Sequence, residues 1–288
     1  MSAPSAIELH GVEHTYPPDV RALAGVDVTI HRGDFVAIIG KNGSGKTTLA
    51  KHFNGLLKPT NKRGQVLVRR PDGDLQATQQ MRLHELAGTI GYVFQNPDRQ
   101  IFHDSCREEL SFGLTNLRVP EAAQADRISR TLRLVGLEGR EDANPVHLSR
   151  GERQRLAIAS TLVMEPEVAV IDEPTTGQDP REAKVILEFL ARFNSTGRTV
   201  VIISHDMALV AEYATRVIAM RKGVVLADGP PRDVFSRVDV LEQTNIRPPQ
   251  AAVLAARLGH LGVLTVSEAA SAMASELAGD QQEVRCVS

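Results

Sequence analysis

Residues 40 to 48 read Gly40-Lys41-Asn42-Gly43-Ser44-Gly45-Lys46-Thr47-Thr48, and this stretch decides the fold class of the chain. The apolar run Phe35-Val36-Ala37-Ile38-Ile39 comes directly before it and helix-forming residues follow, so a strand, a glycine-rich loop and a helix occur in that order. The stretch matches the pattern G-x-x-x-x-G-K-[ST], in which backbone N–H groups and a lysine bind phosphate oxygens and a hydroxyl ligates Mg²⁺. We therefore predict a P-loop nucleotide site, with Lys46 on the terminal phosphates and Thr47 on the metal.

Two further apolar runs end in polar side chains that suit the same chemistry. Val168-Ala169-Val170-Ile171-Asp172-Glu173 predicts a buried parallel strand ending in two carboxylates, and Thr199-Val200-Val201-Ile202-Ile203-Ser204 predicts another, followed by His205. Ligands of open α/β sheets lie at the carboxyl ends of the strands, so these residues are expected in one crevice. Asp172 is then the candidate metal ligand, and Glu173 the candidate to orient or deprotonate a water molecule. His205 would bond the γ-phosphate and that water, whereas alone it would be read as a structural residue.

A third polar segment opens a predicted helix. Ser149 and Glu152 have the S-x-x-E spacing of a capping box, and Leu156, Ala159 and Leu162 follow at helical spacing. A helix is therefore predicted to begin at Ser149. Its exposed N–H groups form a second candidate anion site, although taken alone the segment would be an ordinary capped helix.

Together these motifs resemble the ATP-binding cassette (ABC) ATPases, whose defining motif is Leu-Ser-Gly-Gly-Gln ahead of such a helix. The matching segment here is Leu148-Ser149-Arg150-Gly151-Glu152, so Arg150 stands where the family usually has Gly and Glu152 where it has Gln. The resemblance implies that Ser149, Gly151 and Glu152 bind the γ-phosphate of an ATP held by a second ATPase subunit in a sandwich dimer. Arg150 would either add a phosphate contact or impair one.

The same resemblance implies roles for three more positions. Gln95, after the strand-like run Thr89-Ile90-Gly91-Tyr92-Val93-Phe94, would contact Mg²⁺ and the water, and its loop would move with ATP. Tyr16 would stack on the adenine. Asp179, in the segment Thr176-Gly177-Gln178-Asp179, would lie in the loop that crosses the dimer interface. ATP and Mg²⁺ are thus the implied ligands, and every P-loop residue is expected to contact them: Gly40, Lys41, Asn42, Gly43, Ser44, Gly45, Lys46, Thr47 and Thr48.

The resemblance and the order of predicted elements imply an α/β fold. We expect a P-loop NTPase with a RecA-like core, an antiparallel β subdomain and an inserted helical subdomain. The ATPase domain is predicted over residues 1–235, with its helical subdomain near 96–154. Helices are predicted inside that subdomain at Ser105 to Leu114 and at Glu121 to Leu134.

Residues 236–288 are predicted to form a helical C-terminal extension with a frayed tail. One helix should follow Pro248-Pro249, and a second should begin at the capping box of Thr265 and Glu268 and end near Gly279. These short amphipathic helices would dock on the core or on a dimer mate, with a solvated appendage as the alternative.

Charge and composition argue against a nucleic-acid partner. The 288 residues carry a formal net charge of −2, which gives no global attraction to phosphate backbones. The basic residues Lys62, Arg63, Arg69 and Arg70 flank a short strand-like run at Gln65 to Val68, so they predict a solvated hairpin better than a binding patch.

The two cysteines, Cys106 and Cys286, offer no disulfide framework, and this usage suits a reducing cytosol. The sequence shows no signal-peptide pattern and no apolar run near the roughly 18 residues that span a bilayer. A membrane role is therefore expected to need a partner protein.

The segment from Gly91 to Phe102 resembles the ATPase of energy-coupling factor (ECF) transporters, which import vitamins and cobalt or nickel. Glu108 to Gly113 and Arg247-Pro248-Pro249 extend that likeness. In this group two ATPases, identical or paralogous, sit at the cytoplasmic face of the cell membrane. They bind a transmembrane coupling protein and a small membrane protein that captures the substrate. Arg99 to Leu117 would shape the groove for the coupling helices; the alternative is that its apolar residues fill the subdomain's own core, namely Ile101, Phe102, Leu110 and Phe112.

Two functional hypotheses follow from the sequence. In the first, the chain is the ATP-hydrolysing motor subunit of an ECF-type importer, and the membrane partners choose the cargo. In the second, it is a soluble ABC ATPase that acts as a clamp or assembly scaffold. The absence of a basic stripe, a Cys-rich module and a tandem cassette disfavours a nucleic-acid version of the second hypothesis.

Overall fold

The computed structural model describes residues 3–260 and 262–274 and contains two sheets flanked by helices. The strands are β1 (Ser5–Tyr16), β2 (Val20–His31), β3 (Phe35–Ile39), β4 (Gln65–Arg69), β5 (Leu75–Ala77), β6 (Ile90–Val93), β7 (Val168–Asp172), β8 (Thr199–Ile203), β9 (Arg216–Arg221) and β10 (Val224–Gly229). The helices are α1 (Lys46–Phe53), α2 (Leu83–Thr89), α3 (Cys106–Asn116), α4 (Glu121–Leu134), α5 (Arg150–Leu162), α6 (Pro180–Ser195), α7 (Met207–Tyr213), α8 (Pro231–Ser236), α9 (Val238–Thr244) and α10 (Gln250–Arg257). Residues 266–274 are also helical.

The larger sheet has six strands in the order β10-β9-β3-β8-β7-β6, and all of its neighbouring strands are parallel except β10 and β9. The smaller sheet is antiparallel and has the order β2-β1-β4-β5. Parallel neighbours require a crossover connection, and α6 supplies one between β7 and β8. The predicted α/β fold class, with its antiparallel β subdomain, is confirmed.

The three central strands are buried along their whole length because both faces of the larger sheet are covered. Successive side chains of a strand point to opposite faces. In β7, Ala169 and Ile171 join a core shared with the helices, whereas Val168 and Val170 join the core between the two sheets. The continuous apolar runs seen in the sequence therefore serve two cores at once.

The inserted helices form where local signals predicted them. Ser105 caps α3, its side chain accepting a hydrogen bond from the Glu108 N–H, and α4 has the predicted bounds. Ser149 caps α5 with the complete capping box. The run at Thr89 to Phe94 was predicted too long, because Thr89 ends α2 and only four residues pair with β7.

The basic segment near Lys62 is a hairpin, as predicted: β4 pairs antiparallel with β5, and the Arg70 N–H donates to the Asp74 carbonyl across the turn. Cys106 is buried in the core shared with the helices, and burial raises its pKa to about 11, so this thiol stays protonated at neutral pH. Cys286 and Gly279 lie outside the described residues.

The start of the C-terminal extension docks on the chain's own core. Val240 and Leu264 belong to the buried cluster that also contains the central strands, and Arg232 forms an ion pair with Glu268. Thr265 and Glu268 form the predicted capping box. Of the three possibilities that the sequence left open, these described residues show contacts with the chain's own core. Within the described part of the chain, no helix has both the length and the apolar character needed to cross a membrane.

Candidate active site

The P-loop connects β3 to α1 at the carboxyl end of the parallel strands. Two of its glycines are required by close packing as well as by backbone angle. A Cβ on Gly40 would lie 2.4 Å from the Met220 carbonyl oxygen, and one on Gly45 would lie 2.5 Å from that of Ala22; both glycines have positive φ. The loop can therefore wrap tightly in front of the first turn of α1, where backbone N–H groups are free to bind an anion.

Lys46 is the buried cation of this loop. Its Nζ donates to the carbonyl oxygens of Gly40 at 2.8 Å and Lys41 at 3.1 Å. Burial lowers the Lys46 pKa, and the nearby carboxylates of Glu173 and Asp172 oppose that shift. The Ser44 hydroxyl, also buried, has no hydrogen-bond partner among residues 3–260 and 262–274. A cation resting on loop carbonyls and an orphan hydroxyl both suit the oxygens of a bound phosphate.

Thr47 and Asp172 meet across the crevice between α1 and β7. The Thr47 hydroxyl donates to Asp172 Oδ2 at 2.9 Å, and the Tyr92 hydroxyl donates to the same oxygen at 3.4 Å. Asp172 is 3% exposed, and burial raises its pKa against the effect of the Thr47 hydrogen bond. A hydroxyl and a carboxylate oxygen side by side are hard ligands that fit Mg²⁺ with its remaining positions on water and phosphate.

Glu173 is the most densely contacted polar group of the site. Its Oε1 lies 2.5 Å from His205 Nε2, and its Oε2 accepts hydrogen bonds from Gln95 Nε2 at 2.7 Å and from the Thr176 hydroxyl at 2.9 Å. The backbone at Glu173 is left-handed, with φ 53°, and its N–H donates to the Ile203 carbonyl. Since β-carbon sterics disfavour this conformation, the neighbouring strand holds Glu173 in a conformation that costs energy.

The structure thus brings together three of the predicted residues at one carboxylate, namely Gln95, Glu173 and His205. Gln95 was also a candidate metal ligand, but here its amide contacts Glu173 and not the pair of Thr47 and Asp172. Thr176 and Tyr92 were missed by the sequence reasoning. Thr176 follows the strand closely enough to have been found from the turn after β7, whereas Tyr92 reaches Asp172 only through the pairing of β6 with β7.

The capping box of the predicted second anion site is present, but it lies apart from the P-loop. Ser149 Oγ accepts from the Glu152 N–H at 3.2 Å, and Glu152 Oε2 accepts from the Ser149 N–H at 2.8 Å. These bonds to the backbone lower the pKa of Glu152 and keep it ionised. In the described part of the chain, no hydrogen bond joins residues 149–152 to the P-loop. One copy of this chain therefore carries two candidate anion sites that lie apart from each other.

Arg150 packs against the loop that follows Glu173. A Cβ on Gly177 would lie 3.3 Å from Arg150 Nε and 3.4 Å from its Cζ, so the guanidinium lies over the Gly177 backbone. Gly151 is equally constrained, since its Cβ would lie 2.9 Å from the side-chain oxygens of Gln178 and Glu182. The replacement of the family's glycine by Arg150 is thus accommodated by the chain's own loop.

Tyr16 ends β1 beside the P-loop helix. Its hydroxyl lies 3.3 Å from the Thr48 hydroxyl, and its ring contacts His14 edge to face at a centroid distance of 4.5 Å. Behind them His52 is fully buried, and its Nδ1 donates to the Thr48 carbonyl at 2.7 Å. In the neutral ring Nε2 is then the unprotonated nitrogen, and it has no hydrogen-bond partner among the described residues. Sequence reasoning missed both histidines, because nothing in their spacing distinguishes them from surface residues.

Comparison with known proteins agrees with this geometry. The family model described as ABC transporter matches residues 23–176. The chain is 39% identical over 279 residues to the energy-coupling factor transporter ATP-binding protein EcfA of Methanothermobacter thermautotrophicus, covering 95% of this chain and 88% of the relative.

The chain belongs to the ABC transporter family of ATP-binding proteins. As a member of this family it binds ATP and is an ATPase, so the predicted family and enzyme class are confirmed. This chain covers only 45% of the length of another relative, a putative ABC transporter ATP-binding protein of Caldanaerobacter subterraneus, to which it is 43% identical over 265 residues.

Two solved structures are similar in fold. One is cbiO1 from Clostridium perfringens, part of the ABC transporter complex cbiONQ, with a TM-score of 0.72, 36% identity, and coverage of 85% of this chain and 96% of that chain. The other is the dimer of an ATP-binding cassette in a post-hydrolysis state with ADP and Pi, with a TM-score of 0.70, 29% identity, and coverage of 78% and 98%.

The buried His52 makes the stability of the ABC cassette depend on pH. Burial, with a smaller contribution from the charge of His14, lowers the His52 pKa below the ordinary value of 6.5. As pH falls through that value, the unfolded chain binds a proton that the folded chain does not, so folding stability falls on acidification. We expect the free energy of unfolding to drop between pH 7.5 and pH 5.5 by about 1 kcal/mol more in the parent than in His52→Gln. Urea denaturation at the two pH values measures this difference, and equal losses in both proteins would contradict it.

Arg150→Gly restores the family's residue, and we expect ATPase activity to stay within about tenfold of the parent, equivalent to about 1.4 kcal/mol of barrier. The reason is that Arg150 packs on Gly177 and leaves the capping box of α5 unchanged. Steady-state hydrolysis by the assembled protein measures it. Gly151→Ala is the matched comparison and should lose more, because its Cβ would lie 2.9 Å from the ends of the Gln178 and Glu182 side chains and would displace them from this loop. A loss beyond tenfold in Arg150→Gly would instead place Arg150 among the phosphate contacts.

Proposed function

We propose that this chain is the ATP-hydrolysing motor subunit of an ECF-type importer, peripheral to the cytoplasmic face of the cell membrane. In this role it couples hydrolysis to uptake of a vitamin or a transition-metal ion through transmembrane partners. The ECF relative and the cbiONQ component support the proposal at the level of family. The observation that carries it is a short segment, fixed by hydrogen bonds, that joins the candidate catalytic carboxylate to a surface groove with exposed aromatic and aliphatic side chains.

That segment begins at Gln95, whose amide contacts Glu173, and continues to Phe102 on the surface. Between them Gln100 is anchored on α5: its amide donates to the Ala157 carbonyl at 2.8 Å and its oxygen accepts from the Phe94 N–H at 3.1 Å. Because Gln100 holds this loop in place, a displacement of Gln95 would also move Phe102 at the surface.

The far end of the segment is held by a buried carboxylate. Glu109 is 5% exposed, and its Oε2 accepts hydrogen bonds from the N–H groups of Phe102 and His103 while lying 3.1 Å from His103 Nδ1. Glu109 therefore fixes the backbone that carries Phe102, because an unpaired buried carboxylate would be costly.

The groove at this position is open and mixed in character, with charged side chains such as Asp98 and Arg153 beside its apolar ones. A cavity of about 440 Å³ is lined by Ile101, Phe102 and Val146, and the side chains of Phe102 and Val146 are 66% and 79% exposed. Phe112 packs edge to face on Phe102 at 5.1 Å. Of the apolar residues whose position was open, Leu110 lies in the core, whereas Phe102 and Phe112 remain exposed and suit the coupling helices of a membrane partner.

In the proposed chemistry, Lys46 and the P-loop N–H groups bind the phosphates of ATP, and Thr47 and Asp172 hold Mg²⁺. The metal would neutralise charge on the phosphate oxygens. Glu173 orients the attacking water and accepts its proton, while Gln95 and His205 fix the carboxylate. Since the site at Ser149 cannot meet the P-loop of its own chain, a second ATPase subunit, identical or paralogous, is proposed to complete each site. The dimeric cassette structure supports this arrangement.

Glu173→Gln tests the assignment of the catalytic carboxylate. The amide keeps the size of the side chain but cannot take a proton from water, so we expect kcat to fall at least about 100-fold. Nucleotide affinity, measured with a fluorescent ATP analogue, should change by less than about threefold, because the side-chain hydrogen bonds of Glu173 go to His205, Gln95 and Thr176. Lys46→Ala is the contrasting variant and should weaken that affinity strongly. Retained turnover in Glu173→Gln would remove Glu173 from the mechanism.

Isolation of the chain from gently solubilised native membranes tests the transport role. We expect mass spectrometry to find a multi-helix membrane protein and a small integral substrate-binding protein travelling with it. Phe102→Asp should abolish that recovery, because it replaces an exposed aromatic ring of the groove with a charge. Val20→Asp, at an exposed position on β2, is the control and should leave the recovery unchanged. Recovery of soluble partners only would favour the clamp or scaffold function and leave the ATPase chemistry intact.

A further inference from the structure

A second cavity of about 480 Å³ lies between the catalytic carboxylate and the C-terminal extension. One side is formed by Glu173 and His205, and the other by Arg247 and Pro249, which lie far along the chain in the linker between α9 and α10. The extension thus contributes a wall, and a guanidinium, to the same cavity that Glu173 and His205 line.

The linker that carries Arg247 is fixed in place. The Ile246 N–H donates to the Leu241 carbonyl at 3.2 Å, which closes the end of α9, and Pro249 is buried. On the next helix Ala255 is completely buried against the core. Arg247 is therefore carried by an ordered stretch between two docked helices, and its position does not depend on a free tail.

The acidic groups of the cavity are already engaged. Both oxygens of Glu173 have partners, as described above, and Asp206 Oδ1 accepts hydrogen bonds from the N–H groups of Ala208 and Leu209. Arg247 differs from them, since it makes no hydrogen bond or ion pair with residues 3–260 or 262–274. The cavity therefore presents an exposed guanidinium with no protein partner among the described residues, beside two carboxylates whose oxygens already accept hydrogen bonds.

A guanidinium offers several N–H donors in a planar fork, which matches two oxygens of a phosphate. Hydrolysis of ATP at Glu173 generates inorganic phosphate at the edge of this cavity. We propose that Arg247 and the cavity it shares with His205 form a phosphate-binding site, through which the C-terminal extension takes part in the ATPase cycle. This inference rests on the proposed roles of Glu173 and His205. It assigns to the extension a part in the reaction beyond docking.

Arg247→Gln tests the site in the full chain, with Arg247→Lys keeping the charge. Arg257→Gln on the exposed end of α10 is the matched control, because it removes one arginine outside the cavity. Calorimetric titration with inorganic phosphate, in the absence of nucleotide and at constant ionic strength, gives the affinity without any turnover. We expect Arg247→Gln to weaken phosphate binding by about fivefold or more, Arg247→Lys by less, and Arg257→Gln by less than about twofold.

The affinity for ATP, measured on the same proteins, separates two sources of the phosphate group. Weaker phosphate binding with unchanged ATP affinity identifies the released product as the ligand, and the inhibition constant for phosphate should rise in parallel. Weaker binding of both identifies the γ-phosphate of bound ATP. Either result supports the site.

Phosphate affinity unchanged within twofold in Arg247→Gln, or an equal loss in Arg257→Gln, would overturn the inference. These outcomes are independent of the catalytic assignment, which fails only when Glu173→Gln retains turnover.

Discussion

The parallel pairing of β3, β8 and β7 is the constraint on which the whole active site depends. In this register Ile38 pairs with Ile203, and Asp172 pairs with Ile203 from the other side, so the three strands end at one level. The P-loop, the two carboxylates and His205 all leave the sheet at that level. Every distance in the site follows from this edge, which buried β-branched residues hold on both faces.

The buried charged groups at this edge, Lys46 and Asp172, lie close together, but each forms its hydrogen bonds with uncharged groups. Lys46 is desolvated and shares the crevice with Asp172 and Glu173, yet its hydrogen bonds go to backbone carbonyls. Asp172 is likewise buried and satisfied by hydroxyl groups and not by a cation. Such a site has little to rearrange when phosphates and a divalent ion arrive, since the donors and acceptors already stand at fixed positions. The energy cost of holding these groups desolvated is carried by the surrounding fold.

Local signals predicted most of the fold and most of the site. The capping residues Ser105 and Ser149, the apolar runs of β3, β7 and β8, and the glycine-rich loop each act over a few residues, and the structure places all of them as expected. The family resemblance singled out Gln95, which local signals could not, but it implied contacts with Mg²⁺ and the water and not the contact with Glu173 that the structure shows. Contacts between distant segments escaped both approaches. The positions of Tyr92, Glu109 and Arg247 depend on how separate elements pack, and no spacing in the sequence encodes that.

The loop that follows β7 connects Glu173 to Arg150 at the start of α5 within one chain. It begins at Glu173, uses Thr176 to hold that carboxylate, and passes Gly177 beneath the guanidinium of Arg150. It ends at Asp179, which caps α6 by accepting two backbone N–H bonds. Because α6 and α5 are both anchored in the core, the loop has little freedom to move without moving Arg150 or Glu173. Under the proposed function, a phosphate bound at the start of α5 would therefore act through this loop on Glu173 of the same chain. In a dimer whose subunits complete each other's sites, this contact is a physical reason for the two sites to respond to each other.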